Sequence, residues 1–334
     1  MEPDFVLTGC LRRDYLLPFA GQPLIDIPGG NMLYAAAGLT VWKGPVGLVG
    51  RVGEDYPHGW LRLFQACGWD TDGIRILAEH LDLRYFQAST DLHTFHLNNP
   101  VAHFSRLGLP FPKALLGYQP VKEPVDDRKI PQLTSPRPVD VPAGYLLARA
   151  VHLCPMDYAT HNRMLTTFRQ AGVTTLTLDP SPAYINAITL DEIRALLNGL
   201  TAFQVAETQI RKLFWGKTDD LWQMIESLAS FGCELILVRR AGGGTLLYDR
   251  AGQKRWEIPA YPVRLVDLMG VGDAFCGGFL AGYYQAYDPL HAALCGTVSA
   301  SMVAEGIGVF HAPEAAPGLA QARLESLAGM VRSV

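Results

Sequence analysis

The sequence predicts an α/β protein: a mainly parallel β-sheet covered by helices on both faces. Two observations carry that expectation. Short apolar runs that read as buried strands alternate with segments of helical periodicity along most of the chain. With 334 residues, 49% hydrophobic and 18% charged, the chain is also long enough to bury a large core on either side of such a sheet.

Near the N-terminus "FVLTG" (5–9) reads as a buried strand, and "RRDYLLPF" (12–19) with "PLIDIPGG" (23–30) as two extended, partly exposed segments joined near Gly21. "MLYAAAGLTVW" (32–42) has helix composition, "GPVGLVGRVG" (44–53) returns to a buried strand, and "HGWLRLFQACG" (58–68) is a helix stopped by Gly68. Beyond the middle of the chain "RAVHLCP", "VTTLTLDP", "LTAFQVA" and "CELILVRR" read as strands. Helical segments separate them: "YATHNRMLTTFRQAG", "LDEIRALLNG", "ETQIRKLFWG" and "DDLWQMIESLASFG". "GTLLYDRAGQKRWEIPA" (244–260) predicts a hairpin turning at "RAGQ". Residues 98–144 break the rhythm, being rich in proline, with polar clusters such as "KEPVDDRK" and no sustained period. That segment reads as a surface insertion near the mouth of a site, or as disordered decoration.

A net charge of -4 without blocks of like charge supplies no footprint for nucleic acid, so a small-molecule partner is expected. The six cysteines are scattered without a C-x-x-C pair, as fits free thiols in a reducing compartment. No apolar signal core precedes the first charges, and the expected location is the cytoplasm. The uncharged run from Ala274 to Tyr287 is shorter than the roughly 20 residues a membrane-spanning helix needs, and Asp288-Pro289 ends it. It reads as the first of two consecutive helices buried in a core.

Two nucleotide motifs fail. "WGKT" (215–218) mimics the end of a P-loop, but Arg211 occupies the place of its first glycine, and "TGCLRRDY" offers only Gly9 where a dinucleotide fold needs three glycines. Asp91, His93, His96 and His103 lie close in sequence but match no zinc spacing, so no metal is expected there. The stretch "DLMGVGDAFCGGFLAGY" (267–283) stands apart. Gly270, Val271 and Gly272 precede an evident helix, where unpaired backbone N–H groups and the helix dipole favour an anion. Asp273 comes next, in the first turn, either as an ordinary cap or as a base beside an anion hole. Beside that positive helix end its carboxylate is expected to be ionised at neutral pH.

Those residues closely resemble the C-terminal signature of the ribokinase-like (PfkB) carbohydrate kinases, commonly D-T-T-G-A-G-D-A-F before a small-residue helix. Residues 28–61 resemble the family's N-terminal signature, "FVLTGCLRRDY" its first strand, "FQVAETQIRKLFWG" its N-x-x-E segment, and "LILVRRAGGGTLLYD" the strand and turn flanking the nucleotide. The resemblance implies a ribokinase-like three-layer α/β/α sandwich over residues 1–334. Its small β-strand lid is built from about 12–28 and 83–97, apart from the poorly matched 98–144. It implies a kinase that transfers the γ-phosphoryl group of ATP to a hydroxyl of a sugar, sugar derivative, cyclitol or nucleoside. Asp273 is then the general base, with the amides of Gly270, Val271 and Gly272 as the anion hole. Asp14, Gly29, Gly30 and Asn31 are implied to touch the acceptor, and Arg239, Ala241, Gly242 and Gly244 to lie along ATP. Glu207 is implied to act on Mg²⁺ through water, and Asp267 to help hold a monovalent cation such as K⁺. Exposed lid strands in such folds can pair across a two-fold axis, so a homodimer is one open arrangement; the charge pattern and the short apolar run lead to an expectation of neither nucleic acid nor membrane as partner.

The chain departs from the family pattern at Leu268 and Met269 (usually Thr-Thr), Gln204 (usually Asn), Ala241 (commonly Gly) and Tyr34 (often a sugar-binding Asn). Those departures and the insertion motivate a second reading, a kinase-fold protein that binds a ligand or partner without catalysis. A third, an unrelated oxidoreductase, would require NAD(P)-binding loops that the sequence lacks.

Overall fold

A computed structural model describes residues 2–42, 44–120 and 126–334. The chain begins with β1 (Phe5–Thr8), then leaves the sheet to form β2 (Arg12–Leu17) and β3 (Leu24–Gly29) before α1 (Asn31–Thr40), β4 (Val46–Gly53), α2 (His58–Ala66) and β5 (Trp69–Leu77). A second excursion makes β6 (Arg84–Ser89), β7 (Phe95–His96) and α3 (Pro100–Arg106). Regular alternation then resumes through β8 (Ala150–Leu153), α4 (Tyr158–Gln170), β9 (Thr175–Leu178), α5 (Leu190–Leu197) and β10 (Ala202–Ala206). It continues with α6 (Glu207–Leu213), α7 (Leu221–Ala229) and β11 (Leu235–Arg240). The hairpin β12 (Gly244–Asp249) and β13 (Lys254–Ile258) turns at residues 250–253, as the sequence predicts. Helices α8 (Val271–Ala286), α9 (Pro289–Ala304) and α10 (Leu319–Ala328) and a two-residue strand β14 (Arg332–Ser333) complete the chain.

The described strands form two sheets. The large one runs β14-β13-β12-β11-β10-β9-β8-β1-β4-β5, parallel from β11 to β5 and antiparallel from β12 outward. Chain order reverses at β1, with β4 on one side and β8 on the other, and the crevice at the carboxyl ends of such neighbouring strands is where open α/β sheets bind ligands. One apolar cluster fills the face covered by α1, α2, α8 and α9, and a second fills the face covered by α4 to α7. These layers form the predicted α/β/α sandwich. Among the described residues no helix is long and apolar enough to cross a membrane.

The second sheet, β3-β2-β6-β7, stands on the carboxyl-edge side of the sandwich. The described residues of 98–144 do not gather at the cavity mouth as the sequence suggests; instead Phe104, Leu115 and Tyr118 pack behind the small sheet against Tyr15, Leu17, Phe86 and Ala88. Proline-rich chain can do this through a few aromatic anchors without any regular period. Of the polar cluster at 122–129, residues 122–125 lie outside the described ones.

Glycine decides how α8 packs. A Cβ on Gly277 would overlap the carbonyl oxygen of Ala35 in α1, and one on Gly38 would overlap that of Ala274. On the opposite side Gly278 faces Ser299 and Gly282 faces Cys295, both in α9. Three helices thus approach backbone to backbone, which holds the start of α8 at the sheet's carboxyl edge. Gly277→Ala is expected to lower stability by about 1–3 kcal/mol, the usual cost of overpacking, read as an earlier midpoint in urea unfolding. An unchanged midpoint would show that α1 and α8 separate without cost.

Candidate active site

A cavity of about 390 Å³ opens between the small sheet and the first turn of α8. Asp267, Leu268, Met269, Gly270 and Asp273 form its floor, while Arg12 and Tyr85 rise from the small sheet. Gly270 is the helix N-cap with φ 71°, a left-handed conformation that glycine adopts readily. It must be glycine for a second reason: its missing side chain leaves room for the ring of Tyr34, which is buried flat against it. The tyrosine that replaces the family's asparagine is therefore accommodated without displacing the helix start. Beyond Gly270 the helix runs for 16 residues, and the first N–H groups of an α-helix have no partner within the helix. Val271 N–H is partly occupied, donating to the Leu268 carbonyl at 3.4 Å.

Asp273 is half-buried in that first turn. Burial, then the neighbouring Asp179, raise its pKa to about 7, against the opposing pull of Arg239 and Arg12. The expectation of a carboxylate ionised throughout the neutral range therefore needs correction, since burial and Asp179 push its titration up into that range. Burial and Asp179 together outweigh the pull of Arg239 and Arg12.

Arg239, read from sequence as lying along the nucleotide, is turned beneath α8. Its Nη1 donates to the Gly272 carbonyl at 2.8 Å and lies 2.8 Å from Cys276 Sγ, while Nη2 pairs with Asp179 at 2.7 Å. Ala241 and Gly242 occupy the exposed turn after β11 and Gly244 opens β12; a Cβ at Gly242 would meet nothing within 4 Å, leaving backbone open to a polyphosphate.

The four predicted acceptor residues are brought together, but behind the cavity wall. Gly29 lies against the Asp14 carboxylate so closely that any Cβ would overlap it. Asp14 is fully buried and neither of its oxygens has a hydrogen-bond partner; Arg12 Nε stands 3.3 Å away, between it and the cavity. Burial raises the Asp14 pKa while Arg12 pulls it down. Gly30, at φ 111°, starts α1. Asn31 is engaged at both ends, its Oδ1 accepting from Cys10 N at 2.9 Å and its Nδ2 donating to the Pro155 carbonyl at 2.7 Å. Arg12, which no sequence motif singles out, presents the cation instead, its guanidinium 4.0 Å above the ring of Tyr85.

Glu207 opens α6 and holds Arg211, one turn later, at 2.8 Å. Nearby in sequence Gln204 is fully buried, and neither atom of its amide has a partner. Oxygen donors of this kind suit Mg²⁺ with its retained waters. Asp267 accepts from Met269 N at 3.1 Å, and burial raises its pKa. Elsewhere, His96 and His103 stack at 5.3 Å and His93 lines the cavity. Among the described residues no group of three His, Cys, Asp or Glu is placed to hold a metal ion. Asp179 also escapes the sequence motifs, although an acid immediately after a buried parallel strand, in "TLTLDP", is a usable signal.

A helix N-terminus with a carboxylate in its first turn, at the switch point of a parallel sheet, is an arrangement that suits phosphoryl transfer by an α/β enzyme. Residues 139–315 match the model of the pfkB family carbohydrate kinases, and the chain belongs to that family. It is 24% identical to the cytidine kinase of Thermococcus kodakarensis, over 84% of this chain and 88% of that protein. Its fold is similar to a Xylella fastidiosa fructokinase with bound ATP, with TM-score 0.70, 19% identity and coverage of 98% and 100% of the two chains. It is also similar to a putative ribokinase II from E. coli in complex with ATP and Mg²⁺, with TM-score 0.69, 16% identity and 98% coverage of both. The chain is a kinase of the sugar and nucleoside type.

The raised pKa of Asp273 also bears on stability. A carboxyl in the unfolded chain titrates near 4, whereas Asp273 does so at about 7 in the fold, so its ionisation costs the folded state. That contribution to stability is whole below pH 4 and is lost as the pH rises through 7. Asp273→Asn is expected to melt at a higher temperature than the parent at pH 8, with the gap closing towards pH 4. Equal melting at pH 8 would show that the ionised carboxylate is fully compensated.

Proposed function

We propose that the chain transfers the γ-phosphoryl group of ATP to a hydroxyl of a sugar, sugar derivative, cyclitol or nucleoside bound in the cavity. The observation that carries this reading is the position of Asp273: on the cavity floor, in the first turn of α8, facing Arg12. The acceptor hydroxyl sits against Asp273, which takes its proton as oxygen attacks phosphorus. A pKa near the working pH suits that task, since the group must accept the proton and later release it.

N–H groups of the opening turn, from Gly270 to Gly272, face the oxyanions of the transferring group and stabilise the charge spread over them. Ala241, Gly242 and Gly244 let the polyphosphate approach the backbone closely. Mg²⁺, held through water by Glu207, would neutralise phosphate charge. Asp267 would help hold a monovalent cation below the helix start. On the acceptor side, Asp14 and the Gly29–Asn31 turn become available to hydroxyls when Arg12 swings from its position over Asp14. The small sheet acts as a lid over residues 266–273, excluding water from the transfer, and its edge is the surface through which two chains would pair.

The test is ADP release with Mg²⁺ and ATP across a panel of sugars, polyols, cyclitols and nucleosides. At least one acceptor is expected to turn over, and silence across the panel together with no binding of ATP would sink the proposal. With that acceptor, Asp273→Asn is expected to lower kcat by about 10²- to 10⁴-fold, and a loss below tenfold removes Asp273 as the base. For the parent enzyme, kcat/KM is expected to fall tenfold per pH unit below about 7, because the base must be unprotonated.

A further inference from the structure

One guanidinium joins three elements beneath the catalytic turn. Arg239, on β11, reaches across β10 to Asp179 at the end of β9, and the same side chain holds the Gly272 carbonyl and touches Cys276 of α8. Asp179 is anchored in turn by its backbone N–H, which donates to the Leu153 carbonyl at 3.0 Å. We propose that Asp179 and Arg239 form a positioning pair, in which Arg239 fixes the Gly272–Asp273 peptide that ends the anion-hole turn and the two opposite charges balance the field on Asp273. The proposal rests on Asp273 being the base.

Geometry separates the two halves of this role. The Gly272 carbonyl belongs to the peptide whose nitrogen end is Asp273, so a bond at 2.8 Å from a cation anchored at β9 restrains the orientation of the turn itself. An apolar contact could hold the helix, but could not orient that carbonyl. A buried ion pair is not needed for stability alone, since well-packed apolar groups often serve as well. Its situation beside a titrating carboxylate supplies a different reason.

Six groups are coupled electrostatically to Asp273: Arg12 from β2, Tyr34 from α1, Cys154 after β8, Asp179 after β9, Arg239 from β11 and Cys276 from α8 itself. Burial pushes the phenol and both thiols up, so all three stay neutral near pH 7. One anion, Asp179, therefore opposes two cations, Arg239 and Arg12. Removing either member of the Asp179–Arg239 pair shifts that balance in opposite directions, whereas removing both nearly restores it.

The experiment is a pH titration of the Asp273 carboxyl carbon by ¹³C NMR on resting, ¹³C-aspartate-labelled protein, with the signal assigned by its loss in Asp273→Asn. Asp179→Asn is expected to move the titration to lower pH by about one unit or more, and Arg239→Gln to move it to higher pH by a similar amount. The double exchange is expected to return near the parent. Arg239→Lys keeps the charge but loses the fork, so its titration stays in place while kcat falls more than tenfold and nucleotide KM changes little. Titrations that coincide in all variants, or single exchanges that move in the same direction, overturn the field half of the proposal. Parent-like kcat in Arg239→Lys overturns the positioning half. Where a single exchange does not fold, as circular dichroism will show, the double exchange and Arg239→Lys decide. Both must titrate like the parent yet lose kcat, and any other result refutes the proposal. Because the titration needs no turnover, it can be read even if the acceptor panel is silent, so failure of the kinase reading and failure of the pair are distinguishable.

Discussion

Close approach of α8 to the backbones of α1 and α9 is the constraint on which the site depends. An α-helix can bring its unpaired N–H groups to the carboxyl edge of a parallel sheet only if nothing on its flanks holds it away. Gly277 and Gly38 remove the obstacle on the α1 side, and Gly278 and Gly282 remove it on the α9 side. The same condition applies at the first residue: Gly270 leaves the space that Tyr34 fills. Once the helix is seated, its opening turn faces the crevice where chain order reverses at β1, and the small sheet closes over it.

Seating the helix so deeply creates an electrostatic conflict. Its positive end favours an ionised Asp273, but removal from water and the presence of Asp179 favour the neutral acid, and these two outweigh the pull of Arg239 and Arg12. The outcome is a carboxyl that titrates near neutrality, where a group that must both take and return a proton is most useful. A similar tension exists at Asp14, a buried acid whose unpartnered oxygens are screened from the cavity by Arg12. In both places a carboxylate that would be unfavourable alone is held beside an arginine, and the arginine is also fixed by a second contact. For Arg239 that contact is the Gly272 carbonyl; for Arg12 it is the face of Tyr85.

Much of the fold was legible because buried strands and amphipathic helices announce themselves by period and by glycine punctuation. The strands at 5–8, 46–53, 150–153 and 235–240 and the hairpin at 244–258 fall where the apolar runs lie. Strand β5 is not marked in this way: its "WDTDGIRIL" interleaves charges with apolar residues because it is the outermost strand of the large sheet. Two-residue strands such as β14 exist only through pairing with a neighbour and leave no local trace. The insertion at 98–144 escapes periodicity for a related reason: its order comes from Phe104, Leu115 and Tyr118 docking behind the small sheet.

By itself the sequence determined the alternation of strand and helix, the glycine-bracketed turn from Gly270 to Asp273, and the family signatures that surround it. These are local properties, set by side-chain period, by the absence of a Cβ and by spacing along one segment. Only the tertiary structure decided what Asp273 is at neutral pH, where Arg239 points, and which residue shields Asp14. Each of those depends on groups remote in sequence, such as Asp179 from Asp273 and Arg239 from Gly272, and desolvation and Coulomb interaction depend on distance in space rather than along the chain.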